Sequence, residues 1–111
     1  MVTIDSLREY GANVDEGLAR CLNKEDFYLK MVNMGIADER FEKLSDIIAS
    51  KDYATAFEIV HALKGIVGNL ALTPLYEPIC QMTELLRKQT QTDYTGFCET
   101  IKSERNKILA L

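Results

Sequence analysis

The only histidine of the chain, His61, stands in the stretch IVHALKGIVGNLAL that spans residues 59–72. Lys64, Gly65 and Gly68 follow it at spacings of three, four and seven. On a helix these spacings bring the four residues onto one face. A neutral imidazole nitrogen is a nucleophile near physiological pH. A lysine one turn away can neutralise an anion carried on that nitrogen, and glycines beside the ring clear a path for a partner's reactive group. Phosphoryl transfer to histidine uses all three features, because it depends on positioning and charge neutralisation more than on covalent chemistry.

The glycines have a cost. Each one inside a helix is about 1 kcal/mol worse than alanine, so the pair gives up roughly 2 kcal/mol. That is a noticeable part of the 5–15 kcal/mol typical of a domain. Two uses compete: close packing between helices, where only a hydrogen fits, or open space over the imidazole. The spacing favours open space, more firmly for Gly65 than for Gly68.

Other chemistries find less support. One histidine, scattered thiols and no Glu-x-x-His pair leave too few ligands for a metal centre. Cys21, Cys80 and Cys98 form no C-x-x-C pair and cannot close a disulfide set among three. Each falls in or beside an apolar stripe and reads as a reduced, buried thiol. A hydrolase with His61 as general base would need further groups around an enclosed pocket. The Met residues (Met31, Met34, Met82) read as core fillers, and Glu39, Glu42 and Lys43 as a solvated helix face.

The elements that must position His61 follow from periodicity, which is helical nearly throughout. A short segment carries Ile4 and Leu7 and stops near Gly11. A second starts at Asn13 as N-cap and runs through Val14, Leu18, Cys21 and Leu22. Asn23 is then expected to cap a third, bearing Phe27, Met31 and Met34. The pattern loosens at Gly35 and resumes at Phe41, Leu44 and Ile48, so that one bent helix or two lie between Asn23 and Ser50. Asp52 caps the helix of His61, whose core stripe is Ala56, Val60, Leu63, Val67 and Leu70; His61 lies on a different face. Thr73-Pro74 opens the next helix as cap and first helical residue, with the regular part starting as late as Pro78. Its stripe is Leu75, Ile79, Met82 and Leu86. After the polar turn Gln89–Asp93, Asp93 caps a last helix with Phe97, Ile101 and Ile108. The expected fold is all-α: a single domain, 1–111, built as an antiparallel up-down four-helix bundle with one or two short N-terminal helices.

At 111 residues and 47% hydrophobic, one core is enough for folding. A net charge of −4 argues against nucleic acid as a partner. The start MVTIDSLREYG lacks the pattern of a secretory signal, and no window nears the roughly 18 apolar residues of a membrane span. A soluble, cytoplasmic monomer is expected, and Met1 points to a separate protein rather than a piece of a kinase.

His61-Ala62-Leu63-Lys64-Gly65 followed by Gly68-Asn69-Leu70 resembles the H-x-L-K-G signature of histidine-containing phosphotransfer (HPt) domains, the carriers of multistep two-component phosphorelays. The stretch GLARCLNKEDFYLKM and the run Leu75…Ile79…Glu84-Leu85 look like the family's flanking pattern. The resemblance implies that His61 is phosphorylated on a ring nitrogen, expected to be Nε2, and that Lys64 contacts the phosphoryl group. It implies that Gly65 and Gly68 let a receiver domain close over the histidine. Many relatives place a glutamine near the imidazole; by ungapped counting that position is Thr83, with Gln81 on a different face. Arg87, one turn on, is a second candidate cation. The implied partners are the receiver domains of a hybrid sensor kinase and a response regulator, with Mg²⁺ supplied by the receiver and no cofactor or ATP site of the chain's own. The alternative is a helical adaptor, or a degenerate HPt, that only docks signalling partners.

Overall fold

The computed structural model describes residues 1–111 and contains seven helices and no strand. They are α1 (Ile4–Tyr10), α2 (Val14–Arg20), α3 (Glu25–Ile36), α4 (Arg40–Ala49), α5 (Tyr53–Asn69), α6 (Thr73–Arg87) and α7 (Thr95–Leu109). Contacts link α4 to α5, α5 to α6, α6 to α7 and α7 back to α4, while α1 and α3 both lean on α2 and α7. One continuous cluster of buried apolar side chains draws on all seven helices. None of the helices is long and apolar enough to cross a membrane.

Three helices, rather than one or two, precede α4, because the segment from Asn23 to Ser50 is two helices. Asp38 makes the break: its carboxylate accepts the Arg40 amide at 2.9 Å and pairs with the Arg40 guanidinium at 2.7 Å. That pairing holds the Asp38 carboxyl below the usual carboxylate range. The buried Arg105 of α7 then donates from Nε to the Ile36 carbonyl at 2.7 Å, satisfying the end of α3.

The helix starts follow side-chain chemistry. The Thr3 hydroxyl forms a capping box with Ser6, Asn13 accepts from the Glu16 amide, and Asp52 accepts from the Thr55 amide at 3.2 Å. Three starts differ from expectation. Asn23 adopts a left-handed conformation (φ 56°) and caps nothing; Lys24 is the N-cap of α3. Asp93 accepts the Thr95 amide from one residue before the N-cap, Tyr94. Thr73 is already helical, with Leu72 as N-cap, and the amide of Tyr76 reaches the Leu72 carbonyl at 2.9 Å, so α6 is underway before Pro78. Leu75, fully buried in the first turn, anchors that start against the roughly 3 kcal/mol cost of the interior proline.

The apolar face of α3 is offset by one residue from the expected stripe. Tyr28, Val32 and Ile36 are buried, while Phe27 and Met34 stand 45% and 58% exposed and Met31 is half-buried. A tyrosine can take a core position here because its hydroxyl has a partner, the Leu70 carbonyl, at 2.8 Å. Leu22, beyond the end of α2, is likewise exposed.

These N-terminal elements finish the helix that bears His61. α5 ends in a Schellman motif: Ala71 is left-handed (φ 55°), its amide bonds the Gly68 carbonyl and the Leu72 amide bonds that of Val67. Carbonyls of this end are also met from outside. Tyr28 takes Leu70, the Asn13 amide takes Ala71 at 2.9 Å, and the Arg20 guanidinium takes Gly68. Gly17 permits the close approach, since a Cβ there would stand 2.5 Å from the Tyr28 ring and 2.9 Å from the Leu70 carbonyl oxygen. Gly17→Ala is therefore expected to destabilise by about 2–3 kcal/mol despite alanine's better helix propensity. Chemical denaturation measures this, and an unchanged midpoint would mean that α2 does not seat on α5 in this way.

Candidate functional site

Every member of the expected core stripe of α5, Ala56, Val60, Leu63, Val67 and Leu70, is buried. The second stripe consequently faces outward. His61 and Gly65 are exposed, and Lys64 and Gly68 are half-buried. All four line one open groove, whose walls include Glu16 and Arg20 from α2 and Thr73 and Tyr76 from α6. The structure thus brings together the four residues that the sequence singled out, on a surface rather than in an enclosed pocket.

Helical side chains lean toward the N-terminus, so the His61 imidazole lies over residue 57, one turn back. There it stacks on Phe57, with ring centroids 5.6 Å apart and planes inclined by 26°. On the C-terminal side of His61 the surface is bare: a Cβ built on Gly65 would meet nothing within 4 Å. The ring has an aromatic support on one side and free space on the other.

Gly68 is different. A Cβ there would lie 2.9 Å from Cε1 of Tyr76 on α6, so this glycine is claimed by packing between α5 and α6. The two glycines therefore separate by experiment. Gly65→Ala should stabilise by up to about 1 kcal/mol, through helix propensity and a less flexible unfolded chain. Gly68→Ala sits one residue from the helix end, gains little propensity, and should destabilise by about 1 kcal/mol as Tyr76 is displaced. Thermal melting of both variants in parallel reads the opposite signs; equal shifts would remove the distinction.

The groove carries an excess of positive charge. Glu16 is its one carboxylate, and it is ion-paired with Arg20 across one turn of α2. The Arg20 guanidinium is also engaged by the Gly68 carbonyl. Lys64 has no such partner and is free to meet an incoming anion. Arg20 has no signature in the sequence that relates it to His61, since 41 positions separate them; only the seating of α2 on α5 brings it to the groove. Phe57 was legible in principle, four residues before His61.

Thr83 does not take the place of the family's glutamine. It is fully buried, and its hydroxyl donates to the Ile79 carbonyl at 2.7 Å. A threonine in the middle of the Leu75–Leu86 core stripe satisfies its hydroxyl on its own helix and turns inward. Gln81 is exposed on another face. Arg87 lies outside the groove: its guanidinium sits 5.3 Å from the centroid of the Phe57 ring and 3.3 Å from Glu84. It touches the support of the imidazole rather than the groove beside the imidazole.

No group of three or more His, Cys, Asp or Glu side chains is gathered closely enough to hold a metal ion. The three cysteines are free; Cys21 and Cys98 are buried, Cys80 is half-buried, and burial pushes the Cys98 thiol up. Compared with protein-family models, curated proteins and solved structures, the chain matches none.

Proposed function

We propose that this protein is a phosphoryl carrier of the HPt kind, which accepts a phosphoryl group on His61 from the aspartyl phosphate of one receiver domain and passes it to the aspartate of another. The observation that carries the reading is the single exposed imidazole with an unpaired lysine one turn away and bare surface over Gly65. In the forward step a neutral ring nitrogen of His61, expected to be Nε2, attacks phosphorus. The N–P bond forms as the P–O bond of the acyl phosphate breaks, and the aspartate carboxylate leaves. Lys64 stands beside the added charge. The reverse sequence of bonds loads the next receiver. Mg²⁺ belongs to the receiver's acidic pocket in this reading, and ATP is not used by the chain itself.

The finer architecture belongs to the same reading: α4, α5, α6 and α7 as an antiparallel up-down four-helix bundle, with α1, α2 and α3 packed at the end where α5 terminates. The carrier would act as a cytoplasmic monomer between a hybrid sensor kinase and a response regulator. An open groove suits a docking partner better than a small substrate, which needs enclosure.

The direct experiment incubates the protein with phosphorylated receiver domains and maps acid-labile phosphate. Label on His61 supports the reading, and no label from any of a panel of receivers would sink it. Lys64 gives a graded test. A charge-assisted contact is worth about 1–3 kcal/mol, so Lys64→Ala should slow transfer roughly 10- to 100-fold. Stability should change little, because the lysine lies off the core stripe. Native transfer rates in Lys64→Ala from several receivers would remove the lysine from the mechanism.

A further inference from the structure

Resting on the carrier reading, we propose that Phe57 is the positioning residue of the site: it holds the His61 imidazole in place by stacking, a task for which α6 supplies no hydrogen bond to the ring. An imidazole on an exposed helix face turns freely about its side-chain bonds, whereas in-line attack on phosphorus needs the nitrogen pointed at the incoming group. On α6 the candidate donor Thr83 is sealed in the core with its hydroxyl on the Ile79 carbonyl. The neighbour the ring does have is Phe57, at 5.6 Å between centroids and 26° between planes.

Phe57 is itself well anchored. It packs against the apolar core, and the Arg87 guanidinium of α6 sits over its ring at 5.3 Å. Rigidity therefore passes from the core to Phe57 and from Phe57 to His61. A stack also leaves both ring nitrogens unoccupied, so one can take the phosphoryl group while the other keeps or sheds its proton. The i, i+4 spacing makes this support local to α5: it follows from the N-terminal lean of helical side chains and does not require α6 to supply a polar group.

The test compares Phe57→Leu, which keeps most of the apolar volume but removes the aromatic face, with Phe57→Tyr, which keeps the face. Because the chain has one histidine, its ring C–H proton signals are unambiguous in the NMR spectrum. In Phe57→Leu these signals should move downfield as the ring current of Phe57 is lost, and transfer from a phosphorylated receiver should slow roughly 2- to 10-fold, the worth of one aromatic pair. Phe57→Tyr should restore both. Circular dichroism at the assay temperature confirms that each variant is folded. A Phe57→Leu protein that is folded, shows the freed histidine signals and transfers at the native rate overturns the inference and leaves the carrier reading standing. Histidine signals unmoved by Phe57→Leu overturn the stack itself. Phosphoramidate, a small donor that phosphorylates accessible imidazoles with release of ammonia, tests the carrier reading beneath the inference. A native protein labelled by phosphoramidate but by no receiver fails as a carrier, and the inference falls with it.

Discussion

Replacing His61 by glutamine leaves a folded protein that takes up no acid-labile phosphate from any receiver. The fold should survive because the ring is exposed and outside the core stripe, so the substitution removes one stacked contact worth about 1 kcal/mol. Function should vanish because the chain holds no second imidazole, and the cysteines are buried or half-buried. The loss is expected to be complete rather than graded. Lys64, Gly65 and Phe57 can only assist a nucleophile that the variant lacks. Mass mapping after incubation with phosphorylated receivers checks this, and acid-labile label on the variant would place the acceptor elsewhere and end the carrier reading.

Gly65→Gln should give the opposite combination of a more stable protein and a blocked site. Nothing lies within 4 Å of the Cβ position, so the longer side chain meets no wall of its own protein. Glutamine exceeds glycine in helix propensity by up to about 1 kcal/mol, which raises the melting temperature by several degrees in a domain of this size. The same bulk stands one turn from His61, in the space that a receiver's aspartyl phosphate would enter on the carrier reading. Displacing the reacting atoms by even 1 Å costs about 100-fold, so transfer should fall by at least that factor. The decisive pairing is melting and transfer on one sample. A Gly65→Gln protein that transfers at the native rate would show that the open surface over this glycine is not the approach path.

Helix boundaries were legible only in part: Asn13 and Asp52 cap as expected and the first helix stops at Gly11, whereas Asn23, Thr73 and Asp93 are not the N-caps of their helices. Thr3, Asn13 and Asp52 start helices through side-chain oxygens that any reader of the chain can see. Four ends, by contrast, close on left-handed residues that are not glycine: Leu22, Lys51, Ala71 and Gln89. Of the six glycines only Gly11 marks such an end; the other five sit inside helices, at Gly17, Gly35, Gly65, Gly68 and Gly96, where three of the five serve close approach. Gly35 makes the point: a Cβ there would lie 2.9 Å from Leu70, so the glycine seats α3 on α5 rather than ending a helix.

The sequence by itself determined the all-helical class, the core face of α5 and the alignment of His61, Lys64 and Gly65 on its outer face. These follow from the 3.6-residue period read along the chain, helix by helix, and need no knowledge of neighbours. Tertiary structure alone decided the rest. Whether Tyr28 or Phe27 faced the core depended on a carbonyl 42 residues away that could accept a hydroxyl. Whether Gly68 meant access or packing depended on Tyr76 of another helix, and Thr83 turned inward because its stripe was claimed by the core. Arg20 reached the groove only through the seating of α2. Such choices are settled by which surfaces meet, and the energies that decide them, close packing and satisfaction of buried polar groups, exist only once the helices are assembled.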